Sequence, residues 1–345
     1  MAEEKKTKKL SIFLRIVIAL LIILVLIVGV AFFYVKGKLD KIQRVELPSD
    51  EDLGITETTA QNLTGYRNIA IFGVDSRSDD YGVGNRSDCI IIASINNDTG
   101  AIKLISVYRD TYVNIEGHGL DKITHAYSFG EAPLAIKTLN TNLDLNINEF
   151  VTVNFDSVAE AVDQLGGVQL TITSDEIKYI NGYIDETSRV TGKTSSHITQ
   201  PGTYTVDGVQ AVSYSRIRYT DGGDYKRTER MRTVIEAMFN KLKTKSVAQI
   251  NSFADNILPS VYTNITTGDI ISMIPSMSKY KVGESIGWPY QTKGITMDRW
   301  YGIPVTLESN VTQLHKEAFG EEDYTPSETV KSVSNSIIKK TGYNK

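Results

Sequence analysis

The sequence predicts an α/β fold, a central β-sheet covered by helices, carried behind a single N-terminal transmembrane helix. Three observations predict it. Residues 16–35, IVIALLIILVLIVGVAFFYV, form an uncharged apolar run of 20 residues. Two β-branched runs, 89–95 and 101–108, flank the turn signal NNDTG, the pattern of an antiparallel hairpin. Further on, FVTVNF, DSVAEAVDQL and GGVQLTI follow one another as strand, helix and strand, a βαβ rhythm that implies a sheet covered by helices.

At ~1.5 Å per residue the apolar run spans roughly 30 Å, the thickness of a bilayer's hydrocarbon core. Lys5, Lys6, Lys8, Lys9 and Arg15 precede it, which keeps residues 1–15 in the cytoplasm and the bulk of the chain outside. A cleaved signal peptide is the competing reading. The run exceeds a usual signal h-region, and no A-x-A site follows it. Residues 36–66, with Pro48, Ser49, Asp50, Glu51 and Asp52, read as an extracellular linker with some helix at its start. RNIAIFGV (67–74) reads as a buried strand, and 124–143 as a helix that Pro133 could split. After the βαβ unit, 174–196 reads as a variable stretch, and a helix starts near Asp207. The segment 224–244 is a long helix whose Met231, Val234, Ile235, Met238, Phe239 and Leu242 fall on one face. Residues 247–257 and 267–277 look helical, 280–297 look like strand, and 326–340 close with a helix.

The chain has 37 Lys/Arg and 41 Asp/Glu, of which nine and three fall in the first 44 residues. The remainder therefore holds 28 basic and 38 acidic groups, a formal charge of −10, which argues against nucleic acid as a partner. Any anion site must be a local arginine cluster. Cys89 is the only cysteine, so there is no intrachain disulfide; inside a strand it reads as a small buried hydrophobe. Walker A, GxGxxG, HExxH and GxSxG motifs are absent, and the four histidines lack metal-ligand spacing. Nor is there a Ser–His–Asp or Cys–His set for covalent catalysis.

The chemistry-bearing residues gather around the hairpin. Asp88 and Arg109 are symmetric about the middle of NNDTG, so they sit opposite each other at its open end. If the 67–74 strand runs parallel to the 101–108 strand, Asp75 emerges at the same end. Mg²⁺ takes one or two protein carboxylates and completes its shell with water and phosphate oxygens; Asp75 and Asp88 meet that need, or else cap strand ends. The second cluster is YSRIRYTDGGDYKRTERMR (214–232). In an extended segment Arg216 and Arg218 would leave from one face. Asp224 reads as the N-cap of the next helix. Arg227 continues that helix's apolar stripe and needs an anion to meet it. Arg230 and Arg232 read as candidates for solvated surface. Arginine rather than lysine suits bidentate recognition of phosphate. Asp224 or Asp110 could take a proton from an incoming hydroxyl, Asp110 being equally suited to orienting Arg109.

At these residues the chain resembles the LytR-CpsA-Psr family of bacterial cell-envelope proteins. RNIAIFGVD, NRSD, LISVYRDTYV, KITHAYSFG, FVTVNFDSVAEAVDQLGGV, GVQAVSYSRIR and GDYKRTER carry the likeness, in order, between about 67 and 243. The resemblance implies an extracellular α-β-α domain with a mixed central sheet over 67–245, an apolar groove for a lipid tail, and a helical and strand extension over 246–345. It implies transfer of an anionic glycopolymer, whether teichoic acid, capsule or a related polysaccharide, from a polyprenyl-pyrophosphate carrier to peptidoglycan. A phosphodiester link results, in a Mg²⁺-dependent reaction with Mn²⁺ as an alternative metal. Asp75 and Asp88 would hold the metal; Arg86, Arg109, Lys122, Arg216, Arg218 and Arg227 would contact the pyrophosphate; Arg109, Asp224 and Asp110 would serve the chemistry. The chain departs from many members at Met231, where a glutamine usually follows RTER. A non-catalytic sensor of lipid-linked glycans and a pyrophosphatase acting on the same donor are the competing functions. Both keep the protein on a bacterial cell membrane, single-pass with its N-terminus inside.

Overall fold

The computed structural model describes residues 43–44, 46–76, 81–265, 269, 272–273 and 276–344. The expected cytoplasmic segment and transmembrane helix lie outside the described residues, as do Arg77, Asp79 and Asp80 and much of the 267–277 helix. Among the described residues no helix is long and apolar enough to cross a membrane.

The centre is a mixed sheet. From one edge its strands run Gln43–Arg44, Tyr262–Thr263, Glu149–Val153, Tyr66–Val74, Ser87–Asn96, Ala101–Val107 and Lys281–Val282, with Ile286–Trp288 also pairing to Ala101–Val107. Tyr66–Val74 lies antiparallel to Ser87–Asn96, which lies antiparallel to Ala101–Val107, so the first and third of these point the same way, as expected. The hairpin register pairs Ile91 with Ser106 and Ile95 with Ile102, and the same register carried outward faces Asp88 to Arg109.

Alternation along the strands builds two cores. Ala70, Phe72, Val74, Ile90, Ile92, Ile105 and Val107 point to one face, against Thr124–Leu143, Leu307–Phe319 and Glu328–Thr341. Ile69, Ile91, Ile95, Ile102 and Leu104 point to the other, where Met231 of the helix Gly223–Leu242 meets them. Helices thus cover both faces of the sheet. Thr124–Leu143 does break before Pro133: Gly130 and Glu131 leave helical φ/ψ, because proline supplies no N–H and crowds the preceding turn.

Several expectations need correction. GGVQLTI does not join the central sheet; Val168–Ile172 pairs with Gly202–Val206 in a separate ribbon. The stretch taken as variable is the helix Ser174–Thr191, started by a capping box between Thr173 and Glu176 and ended at Gly192. Its buried stripe is thin, Glu176, Ile180, Ile184 and Thr187, so two of its four inward positions are polar and the apolar period is masked. The 280–297 strand is three short strands, Lys281–Val282, Ile286–Trp288 and Thr292–Thr296, on two sheets. Residues 46–66, taken as linker, lie against the domain, with Leu53 and Leu63 fully buried. The helix Leu307–Phe319 went unrecognised.

Candidate active site

Three chain segments bring the site together at the strand ends. Asp75 follows Tyr66–Val74, Asp88 is the second residue of Ser87–Asn96, and Arg109 follows Ala101–Val107. Asp88 is the hub. Its Oδ1 meets Arg109 Nη1 at 2.5 Å, its Oδ2 faces Arg218 Nη2 at 3.6 Å, and its backbone carbonyl accepts from Arg227 Nη2 at 3.3 Å. Asp75, Asp88, Arg216, Arg218 and Arg227 line one pocket of about 220 Å³. Carboxylates of the sheet rim and guanidiniums of the later segments do converge.

The route by which the arginines arrive differs from expectation. The 214–218 segment is not extended: Arg216 ends the helix Gly208–Arg216, and Ile217 caps it. Arg216 bonds Glu186 at 2.9 Å and Thr187 at 3.0 Å, and its guanidinium lies 4.9 Å from the Phe155 ring. Arg218, just past the helix, stays half exposed and reaches toward Asp88 and, at 3.9 Å, Asp224. Asp224 is not the N-cap. Gly222, at φ 90°, holds that place because only glycine adopts such a turn cheaply. Asp224 sits in the first helical turn instead, where the dipole favours a negative charge.

Arg227 is buried as its place in the stripe demands. Its Nη2 meets Asp224 at 2.9 Å, while its Nε finds no partner among the described residues. A buried guanidinium with an open donor at a helix N-terminus is a ready anion contact. Arg230 and Arg232 are not solvated. Arg230 is 5% exposed and bonds Glu176 at 2.7 Å, the Ile217 carbonyl at 3.1 Å and the Thr220 hydroxyl at 2.7 Å. Arg232 bonds the Ile286 carbonyl at 3.1 Å, and burial lowers its pKa from the usual arginine value.

Asp110 lies between two cations: Lys122 Nζ at 2.6 Å and Arg109 Nε at 3.7 Å. Lys122 and Arg109 therefore border the pocket through Asp110 and Asp88, and neither lines it. Arg86 is exposed on the adjoining loop. Burial raises the Asp224 carboxyl above the ordinary aspartate range, although Arg109 and Arg218 pull it down. Burial pushes the Cys89 thiol up to about 12, so it stays protonated and is no nucleophile.

Asp75 and Asp88 suit a hard cation in donor type, both being carboxylates at one pocket. No group of three His, Cys, Asp or Glu side chains gathers among the described residues, so a metal here would lean on water and phosphate oxygens for its remaining ligands.

Sequence reasoning missed Phe155, Tyr183 and Tyr219, which also line the pocket. Tyr183 was hidden with its unrecognised helix. Phe155 directly follows the N-cap Asn154, a position the strand reading absorbed.

Behind the charged pocket lies an apolar cavity of about 290 Å³, walled by Ile71, Val151, Val158, Val234, Met238 and Phe253 among others. Asp88, Phe155 and Met231 line both spaces, so the two adjoin. A site of this build sets guanidiniums suited to an anion beside an apolar cavity under the helix Gly223–Leu242. The chain belongs to the LytR_cpsA_psr family, whose model matches residues 32–309. It is 29% identical over 305 residues to the polyisoprenyl-teichoic acid–peptidoglycan teichoic acid transferase TagT of Bacillus subtilis (strain 168), covering 85% of this chain and 91% of that one. It is 30% identical over 327 residues to the corresponding transferase TagU of the same strain, covering 92% and 99%. Among solved structures, TagT bound to LIIa-WTA superposes with a TM-score of 0.57 at 25% identity, over 81% of this chain and 92% of that one.

Proposed function

We propose that this protein transfers an anionic glycopolymer of the teichoic acid class from a polyisoprenyl-pyrophosphate carrier to a sugar hydroxyl of peptidoglycan. The observation that supports it most is an arginine-lined pocket set against an apolar cavity, with Asp88, Phe155 and Met231 in the lining of both. Such a shape matches a lipid pyrophosphate: two phosphates for the guanidiniums, a prenyl chain for the cavity.

The acceptor oxygen forms a bond to the phosphorus that carries the polymer, and the bond from that phosphorus to the lipid phosphate breaks. Polyisoprenyl phosphate leaves, and a phosphodiester joins the two glycans. Arg216, Arg218 and Arg227 hold the phosphates and offset their charge, the largest service a protein renders in phosphoryl transfer. Arg109, fixed between Asp88 and Asp110, adds a fourth guanidinium at the rim, with Lys122 and Arg86 further out. Asp224 takes the hydroxyl proton, its raised pKa making it a better base than a solvated aspartate; Asp110 keeps Arg109 oriented. A Mg²⁺ held by Asp75 and Asp88 would supply charge neutralisation at the phosphates. Residues 16–35 would keep the site beside its membrane-embedded carrier.

The test is transfer from a lipid-pyrophosphate glycan to peptidoglycan with and without Mg²⁺. Asp75→Ala and Arg218→Ala should each lower the rate at least a hundredfold. Unchanged turnover in both variants would refute the reading. Release of free phosphopolymer in place of the linked product would make the protein a pyrophosphatase.

A further inference from the structure

The segment that follows Arg109 also carries a surface outside the donor pocket. It is built by the hairpin Thr292–Thr296 and Trp300–Pro304. This hairpin docks on the loop that holds Asp110: the Gly302 N–H donates to the Asp110 carbonyl at 2.9 Å, and Thr111 bridges to Gly302. Trp300 lies across the hairpin's face. A Cβ on Gly294 would stand 2.8 Å from its Nε1 and 3.1 Å from Cε2 and Cζ2, so the indole rests flat where only a glycine leaves room. Its outer side is 45% exposed. A Cβ on Gly302 would meet Thr292 Oγ1 at 3.4 Å, the Asp110 carbonyl at 3.6 Å and Trp300 Cη2 at 3.7 Å. The platform, the Thr292 hydroxyl and the Asp110 loop therefore adjoin one another.

The second wall is aromatic too. Tyr225, the residue after Asp224, is 40% exposed. Its ring meets Tyr108 edge-on at 4.4 Å, and its phenol lies near the Thr292 side chain. An indole face, a phenol and a threonine hydroxyl thus lead up to the carboxylate proposed to take the acceptor's proton. None of Trp300, Thr292, Tyr225 and Tyr108 lines the donor pocket or the apolar cavity.

A water-exposed aromatic face flanked by hydroxyls suits a pyranose chain. The sugar's C–H face covers the ring, and its hydroxyl and acetamido groups meet the polar edge. The geometry points to the surface of Trp300, Thr292 and Tyr225 as the subsite for the acceptor, a β-linked N-acetylhexosamine glycan strand laid so that one hydroxyl reaches Asp224. This rests on the transferase reading for its chemistry and on the hairpin alone for its place. The surface is separate from the lipid's proposed space, since none of its residues lines the apolar cavity. A general protein-docking patch is the competing use, and the glycan titration decides between them.

The chain has two tryptophans, and Trp288 is fully buried, so indole emission that responds to added ligand reports Trp300. Titrating the protein with soluble glycan fragments of alternating N-acetylglucosamine and N-acetylmuramic acid should change that emission saturably. In the transfer assay, Trp300→Ala should raise the acceptor KM at least tenfold while leaving affinity for the lipid-pyrophosphate donor unchanged, which also certifies the fold. Emission indifferent to the fragments overturns the proposal, as does an unaltered acceptor KM in Trp300→Ala. If emission titrates but no transfer occurs in the parent protein, the glycan site stands and the transferase reading falls.

Discussion

Arg227 and Arg230 are three residues apart on one helix and have opposite jobs. Both are buried, but Arg230 is fully satisfied by Glu176, Ile217 and Thr220, while Arg227 keeps an open Nε at the pocket. Removing one partner of a buried ion pair strands the other charge and costs about 3–5 kcal/mol. Glu176→Ala should therefore lower thermal or denaturant stability by that amount, whereas Arg227→Ala should chiefly weaken pyrophosphate binding. Equilibrium unfolding of the two variants checks the contrast. Asp224 makes a second residue-scale prediction. Its carboxyl is raised mainly by burial, with Arg109 and Arg218 opposing. As a base it must be ionised, so kcat/KM should fall with acid at a pH above the ~3.9 of a free aspartate. Stability runs the other way: folding binds the Asp224 proton more tightly than the unfolded chain does. This carboxylate's cost is present above its folded pKa and is relieved as pH drops through it. A pH–rate profile whose acid limb disappears in Asp224→Asn is the expected result. The sequence already marked Arg227 for an anion and offered Asp224 or Asp110 as the proton acceptor; it misread Arg230 and Arg232, which look like surface residues because their partners lie 10 to 54 positions away.

The helix Gly223–Leu242 is the element on which the site turns. Its N-terminal turn carries Arg227 to the pocket and sets Asp224 against Arg227 and Arg218, and Met231, Val234 and Met238 then roof the apolar cavity. The 3.6-residue stripe was plain in the sequence. Half of it packs as core, with Met231 against the sheet and Val234 toward the Val168–Ile172 ribbon; the same side chains leave space beneath them. Met231 lines both the charged pocket and the cavity, so it carries the apolar wall up to the guanidiniums. Filling the cavity from the opposite helix separates its two uses. Ala161→Trp, on the helix Phe155–Gln164, should occupy the prenyl space, keep inorganic pyrophosphate binding and abolish turnover of long-chain donors. Donor kinetics against chain length measure it; equal use of short and long lipids would count against the cavity as the tail site.

For the whole molecule, local pattern was a sound guide wherever one element's partners lie close in the chain. The hairpin register from NNDTG, the strand 66–74, the kink before Pro133 and the long helix were all legible, because periodicity and turn chemistry act over a few residues. Where the chain returns over long distances, the sequence was silent. Tyr262–Thr263, Lys281–Val282 and Ile286–Trp288 come back to pair with the same sheet as residues 66–107. The helices Leu307–Phe319 and Glu328–Thr341 close its core. Strands of two or three residues carry too little alternation to announce their place. The hairpin 292–304 shows the same limit, since only its docking on the Asp110 backbone fixes where Trp300 lies.

The order of residues by itself determined the α/β class, the antiparallel pairing that faces Asp88 to Arg109, and the set of carboxylates and arginines available for a phosphate. Only the tertiary structure decided which arginines line the pocket and which hold the fold, and that an apolar cavity adjoins that pocket. The reason is physical: a guanidinium's role depends on which carboxylates and carbonyls surround it after burial, and those arrive from distant parts of the chain.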